Sequence, residues 1–321
     1  MSRNVTVIVD FILLGLSSNP ETQIILFFIF LLAYAIILTG NILFIILIIT
    51  YTTLHTPMYF FLSNLSFLDL CYSTSIVPRM LRDLMSAKKI ISYEECATQM
   101  YFSLSLGETE CILLAVMAYD RYVAVCYPLQ YTTIMNKMVC IKIAAGTWIC
   151  GFFLSISHVA LTLNIDLCRN NVINHFLCEV PAILALSCES VVLVEFAILV
   201  VGVIILMTPV TIITMSYIKI ILCIIKIKSS GGRRKAFSTC GSHMMVVTIF
   251  YGSAMAAYMK PRSSSIPETD KVVAIFYEIV PPMLNPIIYT LRNNDVKVLF
   301  KKLRNMHYFS DNRGKVFIDV R

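Results

Sequence analysis

Seven stretches of this chain stay apolar for about as long as a helix needs to cross a bilayer, and that count limits the fold more than any single motif. They run roughly over 24–50, 57–81, 98–127, 139–162, 191–225, 236–259 and 271–291, each near or above the about 20 residues that span the hydrocarbon as a helix. Backbone N–H and C=O groups find no water there, so helices satisfied within each segment are expected. The second, third and seventh stretches carry polar residues and are assigned on length and flanks as well as hydropathy. Composition agrees, since 58% hydrophobic and 14% charged residues depart from the balance of soluble domains. The expected fold is an all-α membrane protein: an extracellular N-terminal tail (1–23), a seven-transmembrane helix bundle (24–291), and a cytoplasmic amphipathic helix and tail (292–321). In that last segment Val296, Leu299, Phe300 and Leu303 recur at helical spacing among lysines and arginines, the pattern of a short helix lying on a membrane surface. No basic leader with a small-residue cleavage site opens the chain, so the first span is expected to serve as its own insertion signal.

The net charge of +7 is unevenly placed, and its placement sets the orientation. The loop between spans five and six holds Lys226, Lys228, Arg233, Arg234 and Lys235 without an acid, and the tail adds Arg292, Lys297, Lys301, Lys302 and Arg304. Both are expected in the cytoplasm. With seven spans the amino terminus then lies outside, where Asn4-Val5-Thr6 offers a glycosylation sequon. A second sequon, Asn64-Leu65-Ser66, falls inside span two and out of reach. Cys96, Cys168, Cys178 and Cys188 face the oxidising side, where four cysteines allow three pairings. Cys126, Cys140, Cys223 and Cys240 lie at or near the inner side and read as unpaired thiols.

Charges near hydrocarbon usually pair or mark function. Asp120 and Arg121 follow the apolar run CILLAVMAY at the inner end of span three. They can neutralise each other in one packing of the bundle and release the arginine in another, which would make a switch; the alternative is an interfacial pair that only sets topology. Asn41, Asp69, Glu110 and Asn285 with Pro286 occur at mid-depth in spans one, two, three and seven, and are expected to share one buried polar cluster. The Asp69 and Glu110 carboxylates could there hold a sodium ion or share a proton. Pro209 and Pro286 can kink their helices and leave a carbonyl free. No nucleophile–base pair, phosphate-cradling glycine loop or zinc motif appears, so no catalytic residue is assigned. The two-half repeat common in secondary transporters is not visible. The basic residues concentrate at one membrane face, so nucleic acid is not an expected partner.

Five ordered blocks carry a resemblance: PMYFFLSNLSFLDLC at 57–71, MAYDRYVAVCYPLQY at 117–131, SY at 216–217, KAFSTCGSH at 235–243 and PMLNPIIYTLRN at 282–293. With Gly40-Asn41, Trp148, Pro209 and Asn285-Pro286-xx-Tyr289, the chain resembles the odorant (olfactory) receptors of the rhodopsin-like G-protein-coupled receptors, in their tetrapod-type class, over about residues 10–305. The resemblance implies a Cys96–Cys178 bridge and a second, Cys168–Cys188. It implies an inner switch of Asp120, Arg121 and Tyr122 with Tyr217, His243, Asn285, Pro286 and Tyr289, and a moving segment that begins at Lys235. Implied partners are a small volatile odorant, a stimulatory olfactory-type heterotrimeric G protein that raises cyclic AMP, membrane lipid and trafficking chaperones. The implied location is the plasma membrane, in the sensory cilia of olfactory neurons. A nonolfactory chemosensory receptor for a small metabolite or amine is the alternative reading.

Helical spacing puts Ser103, Leu104, Gly107, Glu108 and Cys111 on one inward stripe of span three. By resemblance the facing ligand-binding residues are Ile198, Val201, Gly202 and Ile205 on span five, Tyr251, Ala254, Met255 and Tyr258 on span six, and Ile275 and Glu278 on span seven. Most are apolar, as a small-molecule site requires. Glu108 and Glu278 stand apart: either they bind an amine or another strong donor, or they are neutral or turned toward other helices. The run His175-Phe176-Leu177-Cys178-Glu179 matches a His-xx-Cys-acid pattern suggested for metal in this family. A disulfide-bonded Cys178 is a poor ligand, so no metal or other cofactor is expected beyond the sodium ion, and His175 is expected to pack the loop.

Overall fold

The computed structural model describes residues 10–165, 167, 171–187, 192–227, 229–258 and 267–292. Seven helical segments are long and apolar enough to cross a membrane: α1 (Pro20–Thr50), α2 (Pro57–Leu84), α3 (Tyr93–Cys126), α5 (Lys137–Leu163), α7 (Val192–Lys226), α8 (Ser230–Tyr258), and α9 (Pro267–Glu278) continued by α10 (Val280–Arg292). Two short helices, α4 (Tyr131–Ile134) and α6 (Val180–Leu184), lie in the connections.

The helix starts follow from local chemistry. Asn19 precedes Pro20, and its side chain accepts from Glu21 N at 2.9 Å and Thr22 N at 3.3 Å, so α1 begins four residues before the expected boundary at 24. Ser92 and Glu95 form a reciprocal capping box at the start of α3, and Asn136 caps α5 through Val139 N at 3.1 Å. The seventh span is two helices rather than one. Pro281 and Pro282 lack the N–H groups that would bond Tyr277 and Glu278, and the helix breaks at Ile279 as that loss requires.

Helix α3 occupies the centre, with 61% of its spanning window buried against 22% for α7 and 28% for α1. Around it the contacts run α1 to α2, α2 to α3, α3 to α5 and to α7, α7 to α8, α8 to α9, and α10 back to α1, which closes the ring. The large apolar side chains of α1 and α7 that point outward, such as Phe28, Ile49, Phe196 and Ile225, belong against lipid.

One element lies outside the all-helical expectation. Strands β1 (Asp10–Leu13), β2 (Ile90–Ser92) and β3 (Val172–Ile173) form a small sheet in the order β2-β1-β3. β1 runs antiparallel to β2, with Phe11 opposite Ile91, and parallel to β3, with Ile12 opposite Val172. Phe11, Leu13, Ile91 and Ile173 turn into one cluster with Cys96 and Cys178. The face that carries this sheet is called outer below, and the α3–α5 connection marks the inner face.

Candidate functional site

Three polar tiers are stacked along α3. In the outer tier Cys96 and Cys178 are joined, their Cα atoms 5.5 Å apart, and Cys178 N donates to the buried Gln99 Oε1 at 3.0 Å. This bridge ties the outer connection to α3 and seats α6 in the bundle, where Val180 and Leu184 pack on Met100 with Leu104 and Ile198 against them. Cys168 and Cys188 lie outside the described residues; the residues just before them, Leu167 and Ser187, form an isolated antiparallel bridge. His175 stacks on Phe176 with ring centroids 4.7 Å apart and accepts from Leu177 N at 3.3 Å, while Cys178 is committed to its disulfide.

The expected ligand residues fall in several packed regions. Ser103, Glu108, Cys111, Ile205, Tyr251, Ala254 and Glu278 are buried, and Gly107, Val201, Gly202, Met255 and Ile275 are partly so. The Tyr251 hydroxyl donates to Cys111 O at 2.8 Å and links α8 to α3. Ile275 joins a different cluster, with Leu106, Phe176 and Tyr277. The Tyr258 side chain lies outside the described residues. The two acids differ. Glu108 Oε1 meets His158 Nδ1 of α5 at 2.8 Å, both side chains buried, so Glu108 is turned toward another helix. Sequence reasoning missed His158; its signal was a lone imidazole in a largely apolar span. Glu278 is 1% exposed and neither carboxyl oxygen has a hydrogen-bond partner among the described residues.

At mid-depth Asn285 Nδ2 donates to both Asp69 oxygens, at 3.2 and 2.9 Å. Glu110 lies within electrostatic reach of Asp69, and its own two oxygens are buried without partners among the described residues. Asn41 Nδ2 donates to Ile37 O and to Pro282 O, each at 3.0 Å. Four elements therefore contribute to this region, and Asn41, Asp69, Glu110 and Asn285 are each 2% exposed or less.

The inner tier departs from expectation at two places. Asp120 and Arg121 form no ion pair, because successive residues on a helix point about 100° apart. Asp120 instead accepts from the Tyr131 hydroxyl of α4 at 2.8 Å. Burial pushes the Tyr131 phenol well above its ordinary range, with Asp120 adding to the shift, so the hydroxyl keeps its proton and stays the donor. The Arg121 guanidinium lies against the Met58 sulfur through Nη1, and its Nε is unpartnered among the described residues. Nearby, the Tyr217 hydroxyl and His243 Nδ1 are 2.8 Å apart with their rings stacked, and the buried Tyr289 hydroxyl has no partner among the described residues. Tyr122 carries Lys219 Nζ over its ring, 5.2 Å from the centroid. Cys126 and Cys223, expected as free thiols, are joined across the inner ends of α3 and α7, whose packing brings their Cα atoms to 5.8 Å. The Lys235 side chain, Asn4 and the amphipathic tail helix lie outside the described residues.

A sequence model described as olfactory receptor matches residues 30–305. The chain belongs to the olfactory receptor family. Among its relatives, Olfactory receptor 5AR1 of Mus musculus is 48% identical over 301 residues, covering 94% of this chain and 97% of the relative. Olfactory receptor 2D2 of Homo sapiens is 48% identical over 305 residues, covering 95% and 98%. Olfactory receptor-like protein OLF3 of Canis lupus familiaris is 47% identical over 300 residues, covering 94% and 95%. This olfactory receptor is thus a multi-pass membrane protein and a receptor, and the likeness spans all seven helices.

Proposed function

We propose that this olfactory receptor binds small volatile molecules in the outer half of the bundle, among α3, α7, α8 and α9, and passes the event to a stimulatory olfactory-type G protein that raises cyclic AMP. The amino terminus and the sheet face the outside, and the receptor acts at the plasma membrane, in the cilia of olfactory neurons. The observation that carries the reading is Arg121. It is a buried guanidinium at the inner end of the central helix, held by a thioether and in no ion pair among the described residues, so a new partner at that face competes with little. Tyr217, His243 and Tyr289 surround the same region and give the inner ends of α7, α8 and α10 polar contacts that can be exchanged as the bundle opens.

Between the two ends, Asp69 and Glu110 are proposed to hold a sodium ion or share a proton. The Glu110 oxygens and the Oδ1 atoms of Asn41 and Asn285, unpartnered among the described residues, are hard oxygen donors of the kind an alkali cation takes. A cation there would neutralise the Asp69–Glu110 repulsion and favour the packing in which α2, α3 and α10 meet.

A cyclic AMP reporter in cells with an olfactory-type Gα subunit and a trafficking chaperone tests the reading against a chemically diverse odorant panel. A dose-dependent rise is expected, lost in Arg121→Ala at equal surface expression. Silence across the panel with surface expression confirmed, or a response that Arg121→Ala keeps, overturns it.

A further inference from the structure

The acids of the outer tier are not equivalent, and the difference points to a ligand. Glu108 has its hydrogen-bond partner, since His158 Nδ1 stands 2.8 Å from Oε1. Glu278 has none. It is 1% exposed, and both carboxyl oxygens lack a hydrogen-bond donor among the described residues, although a carboxylate offers about four acceptor sites. The nearest basic group along its own helix, Lys271, sits two turns outward and is engaged by Glu268 at 3.0 Å. Ser103, on the inward stripe of α3, faces the Glu278 carboxyl, and Glu179 of the outer connection places a second acid nearby. Glu179 is itself steadied by the Tyr277 hydroxyl. An acid buried without a partner is costly unless something arrives to answer it. What fits two bare carboxyl oxygens beside a hydroxyl, with a second acid close by, is a group with several donors and a positive charge.

We propose that Glu278 anchors a small organic amine in its ammonium form, whose N–H groups donate to the carboxylate oxygens with the Ser103 hydroxyl beside them, while its hydrocarbon part takes the apolar surroundings. The proposal rests on the receptor reading for the place of the site and names the ligand class that site selects. An alcohol of equal length brings one donor and no charge, and an anionic ligand meets Glu278 and Glu179 as like charges, so both are disfavoured against the amine.

The test uses the full-length chain in two arms with the same probes: straight-chain primary amines and the alcohols of equal chain length. In the reporter cells the amines are expected to act at lower concentration than their alcohols. Glu278→Gln weakens the amine response about thirtyfold or more, the loss typical of removing one partner of a desolvated charge pair, and leaves the alcohols within about threefold; Glu278→Asp keeps a preference for amines. In detergent-purified receptor, amines raise the Tm more than alcohols do, and the gap closes in Glu278→Gln. No gap in the wild type, or an equal gap in Glu278→Gln, overturns the proposal. Silent cells with a Glu278-dependent gap in Tm count against the signalling reading and leave the amine site standing. Signalling by other odorants with no amine gap in either arm does the reverse.

Discussion

Asn41 shows how one side chain can repair a backbone defect two hundred residues away. Pro286 has no N–H, so the carbonyl of Pro282, four residues earlier, loses its helical partner. That carbonyl accepts from Asn41 Nδ2 at 3.0 Å instead, and Pro286 packs so closely on Gly40 that a Cβ there would lie 3.0 Å from its Cγ. The pairing Gly40-Asn41 with Asn285-Pro286 thus has a mechanical content: a small residue admits the proline ring, and the next residue supplies the missing donor. Asn41→Ala is expected to leave Pro282 O bare inside the bundle and to destabilise the receptor by about 1 kcal/mol, within the range found for buried and intramembrane hydrogen bonds. Thermal unfolding of the purified protein checks it, with a lowered Tm as the expected result. The depth and polarity of Asn41, Asp69, Glu110 and Asn285 were legible in the sequence. Their partners were not, because nothing local says that Asn41 reaches a carbonyl, or that Glu108 finds His158 while Glu278 has no hydrogen-bond partner among the described residues.

At the scale of elements, the approach of α3 to α5 depends on the absence of one methyl group. A Cβ on Gly151 would lie 2.1 Å from Thr109 Oγ1 and 2.8 Å from Thr109 N, and the backbone nitrogen cannot swing aside. Gly146, on the same helix, has nothing within 4 Å of that position. Gly151→Ala is therefore expected to force the helices apart at a cost of about 1–3 kcal/mol. Gly146→Ala is expected to be neutral or slightly stabilising, since alanine is the better helix former. Side-by-side thermal unfolding of the two variants separates a packing effect from a propensity effect. Spans were readable because apolar length is a local property. The break at Ile279 was readable in principle from Pro281-Pro282, since two adjacent missing donors leave a helix little choice. Which faces of α3 meet α5 and α7 is a property of pairs of helices, and periodicity along one chain reports it only in part.

For the whole molecule, the outer face is held by long-range links. The Cys96–Cys178 bridge joins positions 82 apart in sequence and fixes α6 and β3 over the bundle. Replacing either cysteine by serine is expected to cost about 2–5 kcal/mol, and replacing both is expected to cost no more than replacing one, because each single change already opens the link. Unfolding of the two single variants and the double measures this; additive losses would show that the cysteines act separately. The sheet around the bridge escaped the sequence reading for a physical reason. Its strands are four, three and two residues long, too short for an alternating pattern to stand out from chance, and DFIL looks no different from a frayed end of the first span. Its arrangement also has a history. Ile12 lies beside Val172 in a parallel pair, and a ribosome adding roughly 5–20 residues per second needs on the order of 10–30 s to make the chain between them. In that interval four spans are laid into the membrane, and Phe11 and Leu13 have no strand beside them until β2 is made and only β2 until β3 follows. Residues near the start of the chain, among the earliest to be synthesised, are thus among the last to reach their final neighbours.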